Sequence, residues 1–302
     1  MKPTGSIVPM VTPFRDGRLD EDGLAQLIDW QIRSGSHGIS VTGTTGEPSS
    51  LSHPERLRVF DVAKEAIAGR VPFVPGTGSN NLEETLLFSH HAQKLGADAL
   101  LIITPYYSRP SQEGLFQYFK AVASQVGLPV ILYNIPGRTA VNLEVDTLAR
   151  LRDLCPHIIG VKESNKDFEH INRLIYRMGS DFLVYSGIEL LCFPILAIGG
   201  AGYVSATANV LPTEVARLYD LTKAGKWEEA RALHFQLLPI NDAVFLEINP
   251  VPVKTALGWM GKISPEVRLP LAPMSDDNEK KLRDVMSAYH LLTTTNSMGS
   301  KV

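Results

Sequence analysis

Cysteine is nearly absent from this chain of 302 residues: there are two, Cys155 and Cys192. They form no CxxC pair and cannot build a disulfide framework, so a reducing, cytoplasmic compartment is expected. Long hydrophobic runs are missing as well. The longest weakly apolar stretch, Leu190 to Val204, is too short to span a bilayer, and Pro194 and several glycines interrupt it; it reads as barrel core. Met1 to Phe14 carries Pro3, Pro9 and Pro13 without a continuous apolar stretch, which does not fit a signal peptide. Neither sign of charge dominates. Lys and Arg number 29 against 32 Asp and Glu, so no basic face points to nucleic acid and no acidic tail points to a disordered partner arm. There is no HExxH and no paired-carboxylate motif, and His90–His91 fall inside a helical pattern, so no metal site is expected. Gly200-Ala-Gly202 lacks a third glycine and precedes a strand, which argues against a dinucleotide site.

Short apolar runs are present, and they alternate with amphipathic patterns. The candidate strands are Ser6–Val11, Gly38–Thr42, Pro72–Pro75, Asp98–Ile103, Pro129–Tyr133, Ile158–Val161, Phe182–Tyr185 and Gly202–Ser205. None alternates strictly, as expected for parallel strands covered on both faces. Helical patterns separate them, among them Asp20–Ser34, Leu82–Leu95, Leu143–Leu154 and Pro212–Ala224. Asn80 or Asn81 could cap the second of these, and Gly96 stops it. Eight such units predict a (β/α)8 TIM barrel over residues 1–224 rather than an open doubly wound sheet. Residues 225–302 read as a C-terminal helical extension, with helices at Trp227–Ala243, Pro252–Met260 and Asn278–Leu292. The polar end, Thr293 to Val302, is expected to fray.

The carboxyl ends of barrel strands form the reactive face of this fold, and several reactive groups fall there. Lys162 ends the apolar strand in Ile158-Ile-Gly-Val-Lys-Glu163. Partial desolvation at such a place disfavours an ammonium, and a neutral amine can attack a ketone to form an imine. The alternative is a strand-end salt bridge with Glu163. Tyr133 ends the preceding strand, where a phenol could pass a proton or merely cap the core. Gly43-Thr-Thr-Gly-Glu47 can turn its N–H groups and two hydroxyls toward a carboxylate, or be an ordinary turn. In Thr104-Pro-Tyr-Tyr-Ser108, at least one of Tyr106 and Tyr107 should meet a site or a subunit interface. Arg138, just past Tyr133, could hold a second carboxylate or lie solvated at the rim. Thr44, Tyr107, Tyr133 and Lys162 all sit at the ends of candidate strands, and that convergence is hard to explain by structure alone.

Five segments carry a resemblance: Gly43–Glu47, Thr104–Gly114 (TPYYSRPSQEG), Tyr133–Thr139 (YNIPGRT), Gly160–Glu163 (GVKE) and Asn249–Lys254 (NPVPVK). Together they resemble the N-acetylneuraminate lyase superfamily of class I pyruvate aldolases, and within it the dihydrodipicolinate synthase (4-hydroxy-tetrahydrodipicolinate synthase) branch. The likeness runs from about Gly5 to Pro273. It implies a lyase that condenses pyruvate with L-aspartate 4-semialdehyde, on the route to diaminopimelate and lysine. Lys162 would form the imine with pyruvate. Tyr133, Thr44 and Tyr107 would relay protons, with Tyr107 reaching into a neighbouring subunit's site. Thr44 and Thr45 would hold the pyruvate carboxylate, Arg138 the carboxylate of the aldehyde, and Gly187 and Val204 would line the site through their backbones. The resemblance further implies a homotetramer of two tight dimers, with no metal or organic cofactor and no nucleic-acid or membrane partner.

Two stretches depart from the branch. Where small residues usually follow the Lys-Glu pair, the chain reads Glu163-Ser-Asn-Lys166, and where an acidic pair usually follows Gly187 it reads Ile188-Glu189. Both border the expected barrel mouth. They open a second reading, an aldolase or dehydratase of the same superfamily acting on a 2-keto-3-deoxy sugar acid or another aldehyde. A third reading, a keto-acid sensor without turnover, would need a broken relay, and the relay residues are all present. His53, Asn80, Glu84 and Tyr106 match the branch's lysine-binding effector pocket, whereas Pro48 and Arg56 do not. Arg56 would set a positive charge against a cationic effector, so weak or absent lysine inhibition is expected.

Overall fold

The structure is a computed structural model and describes residues 3–292. Seven parallel strands make one curled sheet in the order β4-β1-β9-β8-β7-β6-β5. They are β1 (Gly5–Pro9), β4 (Gly38–Ser40), β5 (Leu100–Ile103), β6 (Val130–Asn134), β7 (Ile158–Glu163), β8 (Leu183–Ser186) and β9 (Gly202–Val204). A two-stranded hairpin that the sequence patterns did not reveal, β2 (Phe14–Arg15) with β3 (Arg18–Leu19), follows β1. Among the described residues, nine helices fill the connections: α1 (Glu21–Arg33), α2 (His53–Ile67), α3 (Leu82–Lys94), α4 (Gln112–Ala123), α5 (Pro136–Thr139), α6 (Val145–Leu154), α7 (Phe168–Met178), α8 (Cys192–Ala197) and α9 (Pro212–Lys223). Four more follow: α10 (Trp227–Gln236), α11 (Leu238–Ala243), α12 (Val251–Trp259) and α13 (Asp276–Ala288).

The expected third strand, Pro72–Pro75, is not a regular strand. Two prolines lack the N–H that a ladder needs. The stretch nevertheless closes the barrel between β4 and β5. Ile39 N donates to Pro72 O (3.0 Å) and Val74 N to Ile39 O (2.8 Å), while Asp98 N donates to Phe73 O (2.9 Å) and Leu101 N to Pro75 O (2.9 Å). The prolines thus act as acceptors on both sides, and the barrel has its eighth stave in irregular form.

Alternation of side chains along each strand sorts the core into two parts. Ile7, Val74, Leu101, Ile131, Tyr133, Tyr185 and Val204 point into the barrel, while Val8, Ile39, Leu100, Val130, Leu132 and Val161 face the helices. Each such aliphatic side chain contributes about 1.5–3 kcal/mol on burial. Local capping sets the helix starts. Asp20 accepts from Gly23 N ahead of α1, Ser52 and Glu55 form a reciprocal capping box ahead of α2, and Asn81 accepts from Glu84 N ahead of α3.

Other expectations need adjustment. Leu190–Val204 is not one core run: it holds α8 and β9, and Leu190 is exposed. The single helix expected at Trp227–Ala243 is two, α10 and α11, with Leu237 between them and Pro239 in the first turn of the second. The sequence patterns give no bounds for α2, α4 and α7, and do not show the short α5 and α8. Thr293 to Val302, expected to fray, lie outside the described residues. Among the described residues, no helix is long and apolar enough to cross a membrane.

Candidate active site

Lys162 sits one residue from the end of β7, in register with Tyr133 of β6 and Tyr185 of β8. Its neighbours on both sides therefore face the barrel interior, and so does Lys162. It is 6% exposed, and its Nζ lies 4.1 Å from the centroid of the Tyr133 ring. The suggested salt bridge to Glu163 is not made. Glu163 is fully buried on the other side of the strand, where its carboxylate accepts from Asn134 Nδ2 (3.0 and 3.1 Å) and Asn165 N (2.8 Å), with His170 Nε2 at 3.4 Å. The nearby carboxylate raises the pKa of His170. Among the described residues, Lys162 has no carboxylate partner.

The turn after β4 is rigidly held. Thr44–Gly46 form one turn of 3-10 helix, flanked by Thr42 and Glu47, both at φ 52°. Positive φ is unfavourable for residues with a Cβ, so the surroundings must enforce it. Thr42 Oγ1 donates to Gly76 O (2.7 Å) and Thr12 Oγ1 to Gly46 O (2.7 Å). Glu47 Oε1 pairs with Lys254 Nζ at 2.6 Å, and both side chains are out of solvent. Burial pushes the Lys254 ammonium below its ordinary pKa, and Glu47 opposes that shift.

Lys162, Tyr133, Thr44, Thr45, Arg138, Gly187 and Val204 line one cavity of about 350 Å3. Seven of the eight expected site residues thus come together. Tyr107 does not: at φ 71° and 92% exposed, it points away from this chain's cavity. A larger cavity of about 540 Å3 adjoins and shares Thr44, Tyr133, Arg138 and Asn249 as its wall; Pro48, His53, Arg56, Glu84 and Tyr106 line its far side.

Several lining residues escaped the sequence reading. Asn249 donates from Nδ2 to Thr45 Oγ1 (3.0 Å), and its carbonyl accepts from Arg138 NH2 (3.2 Å). It lies in the Asn249–Lys254 segment, where the Asn-Pro dipeptide signals a turn but not a site. Ser164, Lys166 and Glu189 stood out only as departures, and Asn241 and Asp242 carried no signal. Glu189 accepts from Ala206 N (2.7 Å), and burial raises its pKa. Among the described residues, no cluster of three or more His, Cys, Asp or Glu is arranged to hold a metal ion.

The model of the dihydrodipicolinate synthetase family matches residues 2–289. The chain belongs to that family. Among its relatives is the 4-hydroxy-tetrahydrodipicolinate synthase of Nitratidesulfovibrio vulgaris, 46% identical over 292 residues, spanning 97% of this chain and 100% of the relative. The crystal structure of dihydrodipicolinate synthase from Aquifex aeolicus is 40% identical with TM-score 0.94, covering 96% of this chain and 99% of that one. A chloride-inhibited dihydrodipicolinate synthase from Acinetobacter baumannii, solved with pyruvate, is 38% identical with TM-score 0.94 and covers 96% and 100%. The family members share the barrel and the helices after it, and like them this chain is a class I aldolase-type lyase.

Proposed function

We propose that this protein condenses pyruvate with L-aspartate 4-semialdehyde to give 4-hydroxy-tetrahydrodipicolinate, through a Schiff base on Lys162. The observation that carries the reading is a buried lysine without a carboxylate partner, set over a tyrosine ring in one cavity with the Thr44-Thr45 turn and Arg138. Lys162 Nζ attacks the pyruvate ketone, and water leaves to form the iminium. The iminium is an electron sink, so a methyl proton is lost through Tyr133 and Thr44. Thr44 and Thr45 hold the pyruvate carboxylate, and the backbones at Gly187 and Val204 line its other side. Arg138, positioned by the Asn249 carbonyl, takes the carboxylate of the aldehyde. The enamine carbon attacks the aldehyde, and the substrate amine then displaces Lys162 as the ring closes. No metal or organic cofactor enters these steps.

In this reading Tyr107, exposed on one chain, completes the relay in a neighbouring subunit of a cytoplasmic homotetramer built from two tight dimers. In the same reading the helices α10 to α13 belong to a C-terminal helical domain over the barrel, and the segment between α11 and α12 supplies Asn249 to the site. The test is to incubate the protein with pyruvate, reduce with borohydride and map the adduct by mass spectrometry, with Lys162→Ala as control. A pyruvyl adduct on Lys162 alone is expected; none, or one elsewhere, overturns the reading. Ser164, Lys166 and Glu189 at the cavity wall favour one rival, an aldolase or dehydratase for 2-keto-3-deoxy sugar acids. Comparing turnover of those acids with that of aspartate semialdehyde separates the two.

A further inference from the structure

Among the described residues, one hydroxyl in the wall of the Lys162 cavity is both fully buried and without a partner. Ser164 is 7% exposed, and its Oγ makes no hydrogen bond. A buried polar group left unpaired is destabilising, and the few that persist call for a reason. Five other buried side-chain atoms among the described residues share this state, but only Asn249 Oδ1 also belongs to a residue lining this cavity. That atom can only accept. A serine hydroxyl rotates and can donate.

The position of Ser164 is tightly defined. A methyl group on Gly187 would lie 2.0 Å from Ser164 Oγ and 2.7 Å from Lys162 Cε. The hydroxyl and the stem of the lysine therefore crowd the same point above a residue with no side chain. Tyr133, on β6, flanks Lys162 from one side. Ser164, packed on Gly187 just past β8, flanks it from the other. The Lys162 side chain thus runs close to both the Tyr133 ring and this hydroxyl.

We propose that Ser164 is a further catalytic residue, whose hydroxyl donates a hydrogen bond to the oxygen of the aldehyde as the carbon–carbon bond forms. The inference rests on the Schiff-base reading of Lys162. In the step, the enamine electron pair becomes the new bond and the aldehyde π pair moves onto oxygen. The iminium is restored. The oxygen ends as a hydroxyl by taking back the proton that the pyruvate methyl had lost. Charge develops on that oxygen only as the bond forms, so a donor aimed there acts on the transition state more than on bound substrate. An alanine at this position would leave the oxygen without that donor.

The experiment is Ser164→Ala, read at two stages. The pyruvate half-reaction is followed by borohydride trapping on Lys162 and by exchange of the pyruvate methyl protons in D2O, seen by NMR. Condensation is followed as kcat/KM for aspartate 4-semialdehyde. Trapping and exchange are expected to match the unsubstituted protein, while kcat/KM for the aldehyde falls about ten- to a hundredfold. An unchanged kcat/KM overturns the proposal and leaves the Schiff base standing. Equal losses in trapping, exchange and condensation also overturn it, because the hydroxyl then serves the pyruvate step or the fold. Absence of trapping in the unsubstituted protein is a different result, and it removes the Lys162 reading itself.

Discussion

Replacing Lys254 by methionine isolates one charge in the core. Lys254 is fully buried, with Nζ 2.6 Å from Glu47 Oε1 and 4.1 Å from the centroid of the Phe14 ring. Methionine keeps the unbranched apolar body and drops the ammonium. Glu47 is then left with one bond, from Arg268 N at 3.3 Å. An orphaned carboxylate must stay charged in the core or take up a proton. At pH 7 the second course costs about 3.5 kcal/mol for a carboxyl of ordinary pKa ~4.3. Breaking a buried pair from one side costs about 3–5 kcal/mol. The two estimates agree, so a loss of about 3–4 kcal/mol is expected. The pH dependence has a definite sign. The folded variant binds a proton that the unfolded chain does not, so its stability falls by about 1.4 kcal/mol for each unit of rising pH. The deficit therefore shrinks toward pH 5. Urea unfolding of the unsubstituted protein, Lys254→Met and Lys254→Met with Glu47→Gln, at one protein concentration and pH 5 to 8, measures this. The double variant should recover most of the loss, since nothing charged remains buried. A deficit below about 1 kcal/mol, or one that does not change with pH, would refute the reasoning.

Three further outcomes are expected. Millimolar lysine should leave the activity unchanged, because Arg56 occupies the wall of the larger cavity; inhibition at submillimolar lysine would contradict this. Arg268 grips Glu55 with two bonds of 2.7 and 3.0 Å and holds its carboxyl at about 2. That stabilisation is complete above the ordinary carboxyl value of 4.5 and is lost as pH falls toward 2, so Glu55→Gln should flatten the acid limb of the stability profile by about 2 kcal/mol; an unchanged limb in urea titrations would count against the pair. Asn249→Ala should cut kcat/KM about tenfold by freeing the Thr45 hydroxyl, and steady-state kinetics showing no change would mean that this bond does not position Thr45.

The barrel was legible because each of its regular strands is a short apolar run, and helices such as α1 and α3 start at caps that act locally. Lys162 and Tyr133 were legible for the same reason: strand ends can be counted, and strand ends make the reactive face. The stave at Pro72–Pro75 was legible as a strand but not in its irregular form, in which two prolines leave most of the pairing to carbonyls. The hairpin at Phe14–Leu19 is too short to show a period. Asn249 reaches the cavity from a segment remote in the chain, and no local pattern announces such a contact. Ser164 stood in view as a departure, but its state depends on a close approach over Gly187 that only the folded barrel creates. Tyr107 was read as a loop residue that must meet something, and in one chain it meets solvent.

Arg56 has a second occupation. Its guanidinium, burial lowering its pKa to about 10, lies over Phe88 and donates from NH2 to Gly76 O (2.8 Å) and Gly78 O (3.1 Å). Those carbonyls continue the irregular stave that joins β4 to β5. The side chain that brings a positive charge to the larger cavity thus also ties α2 to the stave that lacks a regular ladder. The two jobs cannot be altered separately. A lineage that exchanged Arg56 for a neutral residue to admit a cationic effector would remove two bonds from that stave in the same step.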